Sequence, residues 1–381
     1  MISVKLGDVA VEVKSSNKGD KSGCKIVGLE HLTPMEVTLS EWSDDTNNTF
    51  TKEFSKGDVL FGRRRAYLKK AAVAPFDGIC SGDITVIRAI ENKVAPDLLP
   101  FIIQNDFLFE YAVGKSAGSL SPRVKWEHLK KFEFYLPDMK EQKALAETLW
   151  SINETKQAYI HLIKQTDDLV KSQFVEMFGD NDFVMKSLSE ECALITKGTT
   201  PTTLGYNFTD EGVNFVKIEN ISLDGHFIKD GMMYIGEDCN ETMKRSQLKI
   251  GDVLFSIAGA IGRCVLVTED ILPANTNQAL SIIRLKNNAK ISKEFLMAAL
   301  QSGYIENQYM LLKRGVAQLN LSLKDVGNFK IPIPSREQQE VYVDFARQTD
   351  KSKFALQDAI NNLDALSKKI IAENLIAAGK E

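Results

Sequence analysis

This sequence lacks a basic charge excess, paired cysteines and long apolar runs, and each absence closes off a class of function. Lys and Arg number 47 against 51 Asp and Glu, a net charge of −4. A free-standing nucleic-acid binder usually carries a basic domain, so any basic surface here must be local, or most phosphate contacts must come from a partner. The five cysteines (Cys24, Cys80, Cys192, Cys239, Cys264) form no CxxC pair, and there are only four histidines. That pattern argues for reduced thiols in a cytoplasm and against a structural zinc site. No stretch approaches the ~20 apolar residues of a membrane helix. The first residues, MISVKLGDVAVEVKSS, show no basic start, apolar middle and small-residue cleavage site. What remains, 44% hydrophobic and 26% charged over 381 residues, is ordinary for a globular chain of two or three domains.

The chain repeats itself. Lys56-Gly57-Asp58-Val59-Leu60-Phe61 recurs as Ile250-Gly251-Asp252-Val253-Leu254-Phe255. Val27–Leu32 is echoed by Val216–Ile221, Ile84–Arg88 by Leu280–Arg284, Phe132–Pro137 by Phe329–Pro334, and Glu141-Gln142 by Glu337-Gln338. The offset grows from 189 to 197, as when insertions fall in loops between shared elements. Five echoes in one order make a duplication.

Each half opens with short β-branched, apolar runs bounded by Gly, Asp and Asn, which predict strands of a mixed or antiparallel sheet. They are Lys25–Leu29, Val59–Phe61, Ala71–Ala74, Ile84–Ile90 and Phe132–Leu136, with counterparts at Asn214–Ile218, Asp252–Ile257, Cys264–Thr268 and Leu280–Leu285. Helical stretches are interposed at Pro96–Val113 and Ser292–Leu312. The fold class is therefore α+β, two pseudo-repeated globules. After each globule comes a proline and then a stretch free of helix breakers, Lys140 to Phe178 and Arg336 to Ala378, ended by Gly179 and Gly379. Forty residues of helix run about 60 Å at ~1.5 Å per residue. The predicted layout is globule 1–137, helix 138–179, globule 180–334, helix 335–381.

A heptad seam supports coiled-coil pairing of the two helices. It runs Leu145, Leu149, Ile152, Lys156, Tyr159, Ile163, Thr166, Val170, Gln173, Met177, and 197 residues later Tyr342, Ala346, Thr349, Lys353, Leu356, Ile360, Leu363, Ser367, Ile370, Asn374. Both seams carry lysine at the same place. A lone polar seam residue either fixes register or snorkels its amine to the edge.

Three enzyme-like strings fail on context. Pro137-Asp138…Glu141-Gln142-Lys143 compresses a PD…ExK nuclease signature, but these acids suit the first turn of a helix, and the second half keeps neither the aspartate nor the lysine. Gly114-Lys115-Ser116 ends like a phosphate loop, yet the first glycine it requires is Phe109. No Asn/Asp-Pro-Pro-aromatic tetrapeptide of adenine methyltransferases is present.

Globule, long helix, globule, long helix, with phrases such as Leu248-Lys249-Ile250-Gly251-Asp252-Val253-Leu254-Phe255-Ser256, Ala258–Arg263, Ala274–Ala279, Gly315–Leu321 and Ser172–Asp180, resembles the specificity subunits of Type I restriction–modification systems over essentially the full length. The resemblance implies a non-catalytic clamp whose two helices lie antiparallel, each globule reading one half of a bipartite double-stranded DNA target. It also implies two methyltransferase subunits, restriction/translocase subunits, and S-adenosylmethionine, ATP and Mg held by those partners, with no cofactor on this chain. The first half departs from the pattern, with Gly62-Arg63-Arg64-Arg65-Ala66-Tyr67 where the second has Ser256-Ile257-Ala258-Gly259-Ala260. A free-standing nuclease and a protein-binding scaffold are the competing classes.

The residues best suited to DNA in half one are Arg63, Arg64, Arg65, Tyr67, Lys69 and Lys70, in a run from Lys56 to Lys70 with one acid, Asp58. Arginine grips guanine edges or phosphates and Tyr67 can pack on sugar or base; the alternative is a solvated loop. A second candidate is the loop Gly114–Lys125, with Lys115, Ser119, Arg123 and Lys125. Its counterpart carries Lys313, Arg314, Gln318 and Asn320. Half two adds Lys197, Thr199, Thr200, Arg263, Asn277 and Gln278; amides suit adenine edges, though they are common in turns.

Overall fold

The repeated phrase becomes the centre of each globule. In the computed structural model, which describes residues 1–17, 19–179, 183–312 and 320–376, strands Val59–Gly62 and Val253–Ser256 are buried at every position. Each lies inside an antiparallel four-stranded sheet of the same order. In half one that order is Ala10–Glu12, Ile84–Ala89, Val59–Gly62, Ala71–Val73; in half two it is Cys192–Lys197, Leu280–Leu285, Val253–Ser256, Cys264–Leu266. The register agrees as well, Leu60 facing Val86 and Leu254 facing Ile282. A second sheet in each half, three-stranded in half one and four-stranded in half two, contains one parallel pair, Lys25–Val27 with Gly78–Cys80 and Val213–Val216 with Ala274–Thr276. The first strand of each globule closes on its last, Ile2–Lys5 on Glu133–Leu136 and Met185–Ser187 on Lys330–Pro332.

The chemistry of the Gly-Asp-Val-Leu-Phe phrase is now plain. Gly57 and Gly251 adopt φ of +91° and +87°, a turn that a side chain would strain. The aspartates that follow are buried and face the arginine of another repeated phrase. Arg88 Nε and Nη2 donate to Asp58 at 2.6 and 2.7 Å, and Arg284 does the same to Asp252 at 2.6 and 2.7 Å. The backbone N–H of Ser55 and of Lys249 donates to the same carboxylates. Two phrases read separately in the sequence are thus the two sides of one ion pair.

Each interposed helical stretch is broken in two. In half one the pieces are Leu99–Ile103 and Asp106–Gly114; in half two they are Lys293–Gln301 and Gly303–Leu311. Asn105 and Ser302 sit at the breaks in extended conformation, and the Asn105 side chain accepts from the N–H of Leu108. The Asn105 cap satisfies an orphan donor and so outcompetes helix continuation, whereas the Ser302 hydroxyl donates to Ala299 O and closes the helix before it.

The long helices span Met139–Phe178 and Arg336–Leu375. A glutamine anchors each start, and the structural counterpart of Gln142 is Gln339, one residue past the Gln338 that the sequence echo pairs with it: Gln142 accepts from Ala95 N and donates to Pro137 O, while Gln339 accepts from Ser292 N and donates to Lys290 O and Pro334 O. The chain divides into two compact units, one of residues 1–161 with 356–381 and one of residues 162–355. In the first, Leu149 and Ile371 line one cavity within the same core cluster, and Lys156 Nζ lies 3.0 Å from Asp364. In the second, Tyr342 packs on Phe174 and Phe178 and donates to Val170 O, and Lys353 Nζ lies 2.7 Å from Asp167. In both units rising numbers on one helix meet falling numbers on the other, so the helices run antiparallel. No seam position is exposed. All five cysteines are free and four are buried.

Candidate nucleic-acid interface

In half one the two basic candidates come together. The N–H of Arg63 donates to Asp83 O, the N–H of Val124 to Arg63 O, and the N–H of Arg65 to Pro122 O. Ala117 and Arg123 exchange two backbone hydrogen bonds that close the foot of the second loop, at 3.1 and 2.9 Å. Asp83 then ties the side chains: it accepts from Arg123 Nε at 2.7 Å and Nη2 at 3.2 Å and lies 3.5 Å from Arg64 Nη1. Arg64 Nε also reaches Ser121 Oγ at 3.1 Å. The Arg123 hydrogen bond, aided by Arg64 and opposed by partial burial, holds the Asp83 carboxyl below the usual range. Arg65, Tyr67, Lys115, Ser119, Arg123 and Lys125 face solvent. Arg65 and Lys69, both left-handed at φ +53° and +52°, bracket the short turn Ala66–Leu68, and buried Ala66 pins it down.

Not every basic residue in this run is available. Lys69 pairs with Asp106, which also holds Lys368 at 3.0 Å. Lys70 donates to Leu29 O at 2.8 Å. Arg63 is half-buried, and its Nε has no hydrogen-bond partner among the described residues.

Half two repeats the backbone arrangement with different side chains. The N–H of Ile257 donates to Ala279 O and that of Leu321 to Ile257 O, the positions of Arg63, Asp83 and Val124 in half one. Lys197–Thr200 joins this site from another strand. Gly198 N–H donates to Asn277 O, and a Cβ on Gly198 would lie 1.7 Å from Thr276 O. Thr200 Oγ1 donates to Gln278 Oε1 at 2.8 Å. So Lys197, Thr199, Thr200, Asn277, Gln278 and Asn320 belong to one site, with Gln278 and Asn320 exposed. Arg263 stands apart. It is the counterpart of Lys70, each following the strand whose end bonds to it (Gly62 N to Lys70 O, Ser256 N to Arg263 O), and its Nη1 donates to Ile218 O and Ile221 O. Lys313, Arg314 and Gln318 lie outside the described residues.

Sequence reasoning missed Asp83. Its two arginine partners lie 19 and 40 residues away, and half two has Ala279 in its place, so neither spacing nor repetition flags it. The enzyme-like strings have structural roles. Asp138 caps the first long helix by accepting from Lys140 N and Glu141 N. Gly114 ends a helix rather than starting one, and the negative end of a helix dipole repels phosphate. Among the described residues, no group of three or more His, Cys, Asp or Glu could hold a metal ion, and no helix is long and apolar enough to cross a membrane.

A family model described as the Type I restriction modification DNA specificity domain matches the chain twice, at residues 3–165 and 181–363. The specificity subunit of the EcoBI Type I restriction enzyme of Escherichia coli is 29% identical over 168 residues, 43% of this chain but only 35% of that relative. The putative MjaX specificity subunit of Methanocaldococcus jannaschii is 20% identical over 95% of this chain and 88% of its own. Among solved structures, a chain from a study of complex assembly and conformational transition in the type I R-M system superposes with a TM-score of 0.58 at 20% identity, covering 98% of this chain and 97% of that one.

Proposed function

The chain belongs to the family of Type I restriction modification DNA specificity domains, and from that premise we propose that its two globules read the two halves of a bipartite double-stranded DNA target. The family is a non-catalytic component, and the chain's work is recognition. One observation carries the proposal. Three loops distant in sequence are joined by the same backbone hydrogen bonds in both repeats, while the side chains they present differ, arginines in one and amides and hydroxyls in the other. A fixed frame with variable chemistry suits a pair of readers with different letters. Arginine forks match guanine O6 and N7, and amides match adenine N6 and N7.

In this reading residues 1–137 and 180–334 are the recognition domains and 138–179 and 335–381 the spacer helices. Two methyltransferase subunits bind the chain and hold S-adenosylmethionine for adenine-N6 methylation. Restriction/translocase subunits bring ATP and Mg, and the complex works in the cytoplasm. The acidic net charge fits a chain that shares the phosphate contacts with these partners, so binding by the chain alone is weak and salt-sensitive. The test is a methylome. The chain is expressed with its neighbouring methyltransferase in a methylation-free host and N6-methyladenine is mapped by long-read sequencing. A bipartite motif with a fixed spacer, absent without this chain, is the expected result. Methylation that is absent, or unchanged without the chain, overturns the proposal.

A further inference from the structure

A leucine held in water is an unfavourable arrangement unless something apolar covers it in use. Leu120 is 91% exposed, more than any other large apolar side chain among the described residues. It stands at the tip of the projection between Ala117 and Arg123, whose backbones are locked together by two hydrogen bonds. Gly118 makes the turn at φ +114°. The foot of the projection is braced at three points: Arg65 N to Pro122 O, Arg64 Nε to Ser121 Oγ, and Asp83 between Arg64 and Arg123. A braced foot and a bare apolar tip make a poor loop for water and a good one for insertion.

The surroundings decide what it enters. Arg64, Arg65, Lys115, Arg123 and Lys125 lie on the same two loops, so the occupant is polyanionic outside and apolar inside. A DNA duplex has that chemistry, with phosphates for the cations and stacked bases for the leucine. Ser119 and Ser121, flanking the tip, can meet phosphate or sugar oxygens; the side chain of Leu120 can form no hydrogen bond at all.

Resting on the DNA reading, we propose that Leu120 is a wedge that enters the base stack of the half-site read by the first globule and selects a step that unstacks readily. Apolar side chains part base steps in this way in proteins that kink DNA. Pyrimidine–purine steps yield most easily. The first half-site therefore contains one position whose identity is read through deformability, with no side chain hydrogen-bonded to it.

The experiment uses the full chain assembled with its methyltransferase partner, on duplexes carrying the methylated motif with 2-aminopurine placed at successive positions. One position in the first half-site brightens by about threefold or more as its neighbour is lost from the stack. Leu120→Ala abolishes that signal and relaxes preference at the same step by about tenfold, while Leu120→Met keeps both. Leu223→Ala, on an exposed leucine of the other unit, changes neither. Brightening that is absent, or equal in Leu120→Ala, overturns the wedge while leaving sequence-selective binding, and hence the DNA reading, intact. Loss of the methyltransferase from Leu120→Ala with unchanged DNA selectivity also overturns it, marking a protein contact. An assembled complex without any sequence selectivity overturns the wedge and the reading beneath it together.

Discussion

Arg284→Met tests whether the repeated aspartate and arginine form a structural pair. Asp252 is fully buried, and apart from Arg284 its carboxylate accepts from the N–H of Lys249. Removing the guanidinium leaves a buried charge with that donor and whatever water can enter. Breaking a buried pair in this way costs about 3–5 kcal/mol. The Arg284 side chain is 26% exposed, so solvent already screens part of the interaction, and a loss of about 2–3 kcal/mol is expected. For a unit of this size that lowers the melting temperature by about 4–12 °C. Arg88 makes the same contacts with a side chain 46% exposed, so Arg88→Met should cost less, about 1–2 kcal/mol. The double variant Asp252→Asn with Arg284→Met should recover part of the loss, because no uncompensated charge remains. Urea titration and scanning calorimetry of the full chain measure all three. Should Arg284→Met stay within about 1 kcal/mol of the parent, or cost less than Arg88→Met, the argument from burial is wrong.

Three further outcomes are expected. Asp83→Asn frees Arg64 and Arg123 while making the chain one unit more positive; discrimination at the first half-site should fall about tenfold with non-specific affinity undiminished, and competition binding against mismatched duplexes would expose an error. Arg65→Ala should lower the slope of log affinity against log salt by about one, whereas Lys70→Ala, whose amine is engaged by Leu29 O, should leave the slope alone and reduce stability. Glu191, buried, is held below the usual carboxylate range: burial opposes the charge, but the Lys186 amine and the Lys290 N–H outweigh it. A depressed folded value means stability that is complete above the unfolded pKa and lost as pH falls through the folded one. Glu191→Gln should therefore be less stable than the parent at pH ~7, with the difference closing below pH ~4; urea midpoints that differ equally at both values would refute this.

Much of the fold was legible because its marks are local. A glycine before an aspartate, a run of Val-Leu-Phe and a proline before a breaker-free stretch each report a turn, a central strand or a helix start within a few residues. Repetition then multiplied the signal. Nothing in the apolar content of the interposed helical stretches betrays their breaks; the Asn105 cap on Leu108 N and the Ser302 hydroxyl on Ala299 O decide them. The candidate site was legible as segments but not as individual residues. Arg65 and Lys70 lie five residues apart in one basic run, yet one faces water and the other staples a strand end to the turn at Leu29. Arg263 repeats that staple in half two. What separates them is which backbone carbonyl lies within reach, and that depends on residues some 40 positions away.

The seam lysines show the same limit and a way through it. The sequence left two readings open, register or snorkelling. The Lys156 and Lys353 side chains are only 12% and 13% exposed, and each ends on a carboxylate of the opposite helix, Asp364 and Asp167. Burial disfavours the Lys353 charge, but Asp167 and Asp350 hold its pKa above the ordinary lysine value. The offset of 197 that relates the lysines also relates the aspartates, so the two ion pairs are one contact made twice. A slip of one heptad on either helix would separate both amines from their carboxylates and leave buried charge unpaired. The packing beside them is not symmetric. Phe174, Phe178 and Tyr342 in one unit stand where Ile371, Leu375 and Leu145 stand in the other. The polar pairs therefore set one register for both units, while the difference in side-chain volume keeps the two seams from being interchangeable, since cores filled to native density tolerate neither cavity nor overpacking.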